Sequence, residues 1–242
     1  MNSLIGKQIN ILDNGWIELQ DIMGDDLAIV NAARASFLGE SKGNEKDKRL
    51  LFYLMEHYHT GPFEQVEFKF RVKCPLFVAR QWMRHRTWSY NELSRRYTSA
   101  NIEFYIPDGN KWRKQSEINK QASDGFINAF YNNGFCNGRD FSKFLTFYCE
   151  DTLKYYNNML DAGVAREMAR MILPSNMYTE FIAKVDAHNL MHFLSLRMSP
   201  DAQYEIRVYA EAIYEHFFKP ALPWTSEAFE KYRNRGWLVD KK

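Results

Sequence analysis

The densest chemistry in the chain lies in residues 80–97, RQWMRHRTWSYNELSRRY. Arg80, Arg84, His85, Arg86, Arg95 and Arg96 stand there, interleaved with Trp82, Trp88, Tyr90 and Tyr97. On a helix, Gln81, Arg84 and His85 share one face at i, i+3 and i+4. Ser89 and Glu92 match the S-x-x-E capping box, which predicts a second helix with Glu92, Arg95 and Arg96 on one face. Guanidinium forks converging at such a corner suit phosphate oxygens. The plainer reading is a solvated basic face with one capping box. Against it stand the interleaved aromatics, the nearby Gly and Pro punctuation, and the polar Asn91, Glu92 and Ser94.

Two further clusters carry polar chemistry. AREMAR puts Arg166 and Arg170 at i, i+4, where like charges repel by a few tenths of a kcal/mol. A nearby anion would relieve them, and so would Glu167 and solvent. In DAHNLMHFLSLR, His188 and His192 share a helix face just after Asp186. That is half of a metal site at most, and a polar face with partly packed histidines explains it as well. There is no H-E-x-x-H, and His57 and His59 at i, i+2 do not converge on one helical face, so no metal is expected. No G-x-G-x-x-G, Walker A or G-x-S-x-G stands in the chain, which disfavours a Rossmann-type cofactor site and a serine nucleophile elbow. Cys74, before Pro75, reads as a packed thiol.

The elements that must position these residues follow from periodicity. WIELQDIM (16–23) and QVEFKFRVK (65–73) alternate as strands; in the second, Val66, Phe68, Phe70 and Val72 form one apolar face. IEFYIP (102–107) and NMYTEFIAKVD (176–186) read as further strands. Helices are expected over 25–37, 46–58 and 75–86, the last opening on Pro75. Others are expected over 139–161 ending before Gly163, over 165–173 stopped by Pro174, and over 187–197 and 200–218. Residues 108–138, rich in Asn, Lys, Ser and Gly, read as a surface insertion with a helical middle at 116–131.

Composition bounds the classes. The chain has 242 residues, 45% hydrophobic and 26% charged, with a net charge of +2. That suits one domain with a sizeable core and excludes compositional disorder and a polycation that coats DNA. Aromatics reach 16%, many flat surfaces to bury or to stack on a ligand. The three cysteines, Cys74, Cys136 and Cys149, form no C-x-x-C, so a reducing compartment is favoured. MNSLIGKQINIL lacks a basic region followed by an apolar run, and no stretch nears 18 apolar residues. A cytoplasmic protein is expected, with no membrane partner.

Arg84-His85-Arg86, seven residues, then Ser94 reads R-H-R-x7-S. This resembles the signature of flavin-dependent thymidylate synthases, and HTGPFEQ, CPLFVARQWMRHR, EFYIP, AREMARMILP and the segment bearing Arg197 follow in that family's order. The resemblance implies one α/β (α+β) domain over 1–242, with the less typical insertion at about 108–138. It implies a central, mostly antiparallel sheet flanked by helices, a long helical segment and a homotetramer with active sites between chains. The implied reaction is reductive methylation of dUMP to dTMP without a cysteine nucleophile. 5,10-Methylenetetrahydrofolate gives the carbon, and reduced FAD, reloaded by NADPH, gives the hydride.

Carried over position by position, the resemblance assigns Gln81, Arg84, Glu92, Leu93, Ser94, Arg95, Arg96, Arg170 and Arg197 to dUMP. Arg197 is also the catalytic candidate, contacting the pyrimidine and favouring its N3-ionised form. His59, Gly61, Glu64, Arg84, His85, Arg86, Glu92, Asp186, His188 and His192 are assigned to FAD. Asp186 and His188 stand where many relatives carry Asn and Arg, and Gly61 where some carry Thr. The alternatives are a catalytically inactive flavin- and nucleotide-binding relative, and a nucleic-acid-binding module built on residues 80–97. No nucleic-acid partner is expected on the leading reading.

Overall fold

The computed structural model describes residues 3–36, 39, 41, 43–120, 122–127 and 138–232. Its strands are β1 (Gln8–Ile11), β2 (Gly15–Met23), β3 (Glu67–Pro75), β4 (Ser89–Glu92), β5 (Arg113–Gln115), β6 (Ser123–Phe126) and β7 (Tyr178–Asp186). Five of them make one antiparallel sheet in the order β1-β2-β3-β7-β4, while β5 and β6 form a separate ribbon. The helices are α1 (Asp26–Ala35), α2 (Asn44–Glu56), α3 (Leu76–Trp82), α4 (Gly138–Asp161), α5 (Arg166–Ala169), α6 (Ala187–Arg197), α7 (Tyr204–Ile213), α8 (Lys219–Ala221) and α9 (Pro223–Tyr232). The mixed α/β architecture with a central antiparallel sheet agrees with expectation.

The alternation in β3 explains the sheet. Phe68, Phe70, Val72 and Cys74 are fully buried and face Phe217, Phe218 and the helices, with Phe181, Ala183 and Val185 of β7 beside them. The opposite face is charged and partly wet, as an antiparallel sheet allows. Arg71 pairs with Glu180 and Lys184 with Glu67, each at 2.8 Å, and Lys73 with Glu103. α7 widens into a π turn over Tyr214–Phe218 just ahead of Pro220, which has no N–H to give to the preceding turn. α9, not anticipated from sequence, starts at Pro223 and is capped from far away. Asp26 accepts from Trp224 N at 2.7 Å, Thr225 N at 3.0 Å and Thr225 Oγ1 at 2.6 Å.

Four local expectations are corrected. Ser89–Glu92 is strand β4, paired with Ile182, Ala183, Lys184 and Phe181 of β7, not the start of a helix; long-range pairing overrides the capping-box signal. The helix expected over 75–86 ends at Trp82. Beyond it the chain tightens into turns, and the Tyr90 hydroxyl reaches the carbonyls of Trp82 and His85 at 3.0 Å each. IEFYIP contributes one isolated bridge, Phe104 to Met177, and no strand. Ser123–Phe126 is strand β6 of the ribbon where helix was expected; Gly125, at φ +52°, sits at the bulge where β6 slips by one residue against Arg113 and Lys114 of β5. Residues 128–131 of that expected helix and Cys136 lie outside the described residues.

Candidate active site

Two adjoining clefts share a wall made by Arg84, Ser195, Leu196 and Arg197. The first, about 1080 Å³, is also lined by Gln81, Tyr105, Arg113, Asn176, Gln203 and Glu205. The second, about 700 Å³, adds Tyr58, His85, Arg86, His188, Asn189 and His192. α6 builds much of both. Its N-cap Asp186 accepts from Asn189 N at 2.9 Å and Asn189 Nδ2 at 2.7 Å, fixing where the helix starts. From there His188, His192 and Ser195 recur at helical spacing along one face, and Arg197 occupies the last turn.

Arg197 is held at two points. Its Nε donates to His85 Nε2 at 3.0 Å and its Nη2 to the Gln81 carbonyl at 3.3 Å. Because Nε2 accepts, the His85 proton sits on Nδ1. His85 is only 8% exposed, and its ring packs against Phe193 with centroids 4.9 Å apart. Burial first, then the charge of Arg197 and the neighbouring His192, push its pKa down to about 4. A neutral imidazole therefore buttresses the guanidinium, leaving Nη1 free of the tether. Burial also lowers the pKa of Arg197. Arg84 and Arg86 are exposed, and among the described residues neither meets a carboxylate.

The aromatics of the 80–97 stretch are mainly core, not ligand platforms. Trp82 is fully buried and stacks on Phe193 at 4.9 Å; Trp88 is buried beside it. Tyr97 stays exposed under Arg96, whose guanidinium lies 5.3 Å from its ring centroid.

The sequence model of the family described as thymidylate synthase complementing protein matches residues 18–224. The chain belongs to this family, that of the flavin-dependent thymidylate synthases. A flavin-dependent thymidylate synthase of Thermus thermophilus is 49% identical over 96% of this chain and 82% of its own length. That of Thermotoga neapolitana is 44% identical over 96% of this chain and 98% of its own. The crystal structure of a UMP/dUMP methylase, PolB from Streptomyces cacaoi bound with 5-Br dUMP, superposes with a TM-score of 0.81. It is 33% identical over 94% of this chain and all of that one.

Of the residues this family resemblance assigns, Gln81, Arg84, His85, Arg86, His188, His192 and Arg197 come together in the two clefts. Leu93 and Arg95 do not. They line a separate pocket of about 220 Å³ with Arg71, Lys73 and Glu180. Arg95 spends its guanidinium on its own loop, donating to Ala100 O at 2.5 Å and Asn101 O at 3.2 Å. Glu92 accepts from Thr179 Oγ1 at 2.7 Å. Ser94 Oγ accepts from Arg96 N at 3.3 Å. Arg170 is exposed, with Nε on Glu167 O at 3.4 Å. His59, Gly61 and Glu64 are exposed on the turn before β3 and line neither cleft, although neighbouring Tyr58 lines the second. Sequence reasoning missed Tyr58, Arg113, Gln203 and Glu205.

Cys74 and Cys149 are buried, and burial raises both thiols above their usual range. Among the described residues no group of three His, Cys, Asp or Glu could hold a metal ion. No described helix is long and apolar enough to cross a membrane.

Proposed function

We propose that this chain is an FAD-dependent thymidylate synthase that reductively methylates dUMP to dTMP. 5,10-Methylenetetrahydrofolate is the carbon donor and NADPH the source of reducing equivalents. The observation that carries the reading is Arg197, tethered by His85 and the Gln81 carbonyl on the wall common to both clefts. A guanidinium pre-set there stabilises negative charge developing on a uracil ring without reorganising.

The second cleft fits a flavin dinucleotide by its donor set. Arg84 and Arg86 offer guanidinium groups suited to a pyrophosphate, and His85, His188, Asn189 and His192 offer ring and amide donors. Reduced flavin, when bound, supplies the hydride. The chain binds, orients and polarises: Gln81 and Arg84 hold the nucleotide in the first cleft, and Arg197 faces its pyrimidine. The buried thiols of Cys74 and Cys149 favour a reaction without a cysteine nucleophile.

Of the remaining assigned residues, Asp186 acts on the flavin cleft through the α6 N-cap it makes, whereas Leu93, Ser94, Arg95, Arg96 and Arg170 for dUMP, Glu92 for dUMP and flavin, and His59, Gly61 and Glu64 for flavin act across subunit boundaries in a homotetramer. Two observations support this. Within one chain the Leu93–Arg95 pocket and the Arg197 wall are separate. α4 also leaves Phe144, Phe147, Tyr148 and Tyr155 exposed along its length, an apolar stripe suited to a second copy. The single domain spans the whole chain, and its compartment is the cytoplasm.

Purified protein is expected to be yellow and to release tritium from [5-³H]dUMP when given the folate and NADPH. A colourless protein that FAD does not reconstitute overturns the reading. Because PolB is described as a UMP/dUMP methylase, the same assay with UMP defines the sugar preference.

A further inference from the structure

The first cleft holds a charged group that the reaction outlined above does not use. Glu205, in the first turn of α7, is 3% exposed. Its Oε1 accepts from Arg113 Nη2 at 2.5 Å and from the Tyr105 hydroxyl at 3.3 Å. Its Oε2 accepts from Gln203 Nε2 at 2.9 Å. Gln203 Oε1 in turn accepts from Gln81 Nε2. All five side chains line the cleft.

The polarity of this chain of bonds is forced. A carboxylate only accepts, whereas an amide has one donating and one accepting end. Gln203 must offer its NH2 to Glu205, which turns its carbonyl oxygen to Gln81. Gln81 must answer with its own NH2, and its Oε1 remains as the free end. Turning Gln81 over would set two carbonyl oxygens against each other. Arg113 arrives from β5, where it also donates to Ser123 Oγ at 3.1 Å and lies 4.9 Å from the Tyr204 ring centroid. The ribbon of the insertion thus supplies the counter-charge that a buried carboxylate needs.

We propose that Glu205 is a positioning residue for nucleotide recognition. Acting through Gln203, it keeps the Gln81 carbonyl oxygen available in the cleft, so that the site selects a nucleotide presenting an N–H or O–H donor there. The inference rests on reading this cleft as the nucleotide site.

A double-mutant cycle on the flavin-loaded protein tests it, with dUMP affinity read from the perturbed flavin absorbance. Glu205→Gln removes the acceptor-only group and lets the relay invert. It is expected to weaken dUMP binding by about tenfold, but by less than about twofold in a Gln81→Met background. No loss, or an equal loss in both backgrounds, overturns the relay. Should Glu205→Gln fail to fold, Gln203→Met cuts the relay and leaves the Arg113–Glu205 pair in place. It must give the same loss with the same dependence on Gln81. If the wild-type protein takes up no dUMP, the functional reading fails on its own. The relay is then read in nucleotide-free protein from the Gln81 side-chain amide ¹⁵N resonance, which Gln203→Met must move; an unmoved resonance overturns it.

Discussion

Protonation of His85 should cost the protein both stability and its catalytic geometry. The imidazole accepts from Arg197 Nε at 3.0 Å and its pKa is pushed down to about 4 from 6.5. At pH 7 roughly one molecule in a thousand carries the extra proton. A lowered pKa on a base means that the unfolded chain takes up the proton first as pH falls. The contribution of His85 is therefore complete above about pH 6.5 and is lost between there and pH 4, at up to ~1.4 kcal/mol per pH unit. The whole loss comes to about 3 kcal/mol. Below pH 4 the imidazolium faces the guanidinium directly, and Arg197 must leave its tether. His85→Gln offers a comparison, since the amide oxygen can accept from Arg197 Nε but does not titrate in this range. Urea unfolding of both proteins between pH 4 and pH 8 should show their stability difference shifting by that amount. ¹³C labelling of histidine Cε1 should show the resonance missing from His85→Gln titrating near pH 4. A midpoint near 6.5, or a stability difference flat with pH, would refute the reasoning.

Other outcomes follow from single contacts. Arg197→Ala should lower kcat/KM in the tritium-release assay by about 10- to 100-fold or more, as expected for a charge-assisted bond worth ~1.5–3 kcal/mol, with an unchanged circular dichroism spectrum. Arg197→Lys should not restore it, because an ammonium cannot hold His85 and the Gln81 carbonyl at once. Gly15→Ala should lower the Tm by several degrees. Its Cβ would overlap the Tyr209 hydroxyl and lie 2.7 Å from Ile11 O, an overpacking cost of about 1–3 kcal/mol; Tyr209→Phe should relieve part of it. Asp26→Ala strips α9 of its cap and should cost about 2–3 kcal/mol in urea unfolding, while Asp26→Asn, which keeps one acceptor, should cost less.

The fold was legible wherever one face had to be dry. Val66, Phe68, Phe70 and Val72 alternate because β3 is buried on one side and charged on the other, and a period of two has no competing explanation. Ser89–Glu92 misled because a capping box is a local signal, whereas β4 exists through its pairing with β7, which no local window reports. The β5–β6 ribbon was opaque for another reason. Both strands are largely exposed and carry no apolar period. The ribbon docks through a few contacts at its start: Arg113 to Glu205 and the Tyr204 ring, and neighbouring Trp112 to Ser142 Oγ at 2.9 Å and the Phe141 ring.

The site divides along the same line. Motif residues drew attention because their types are chemically loud: guanidinium groups and imidazoles crowded at helical spacing. What makes Arg197 useful is quieter. Its partner His85 lies 112 positions away in sequence, and only the packing of α6 against the turn after α3 brings the two together. Gln203 and Glu205 were silent for the opposite reason, since a lone amide and a lone carboxylate at the start of a helix look like ordinary solvated residues. Their meaning appears only when Arg113 and Gln81 close on them from two other elements. Chemical type can therefore nominate ligand-binding groups from sequence. The groups that orient those ligands are chosen by long-range geometry, and the Glu205 relay is where this protein lets the difference be measured.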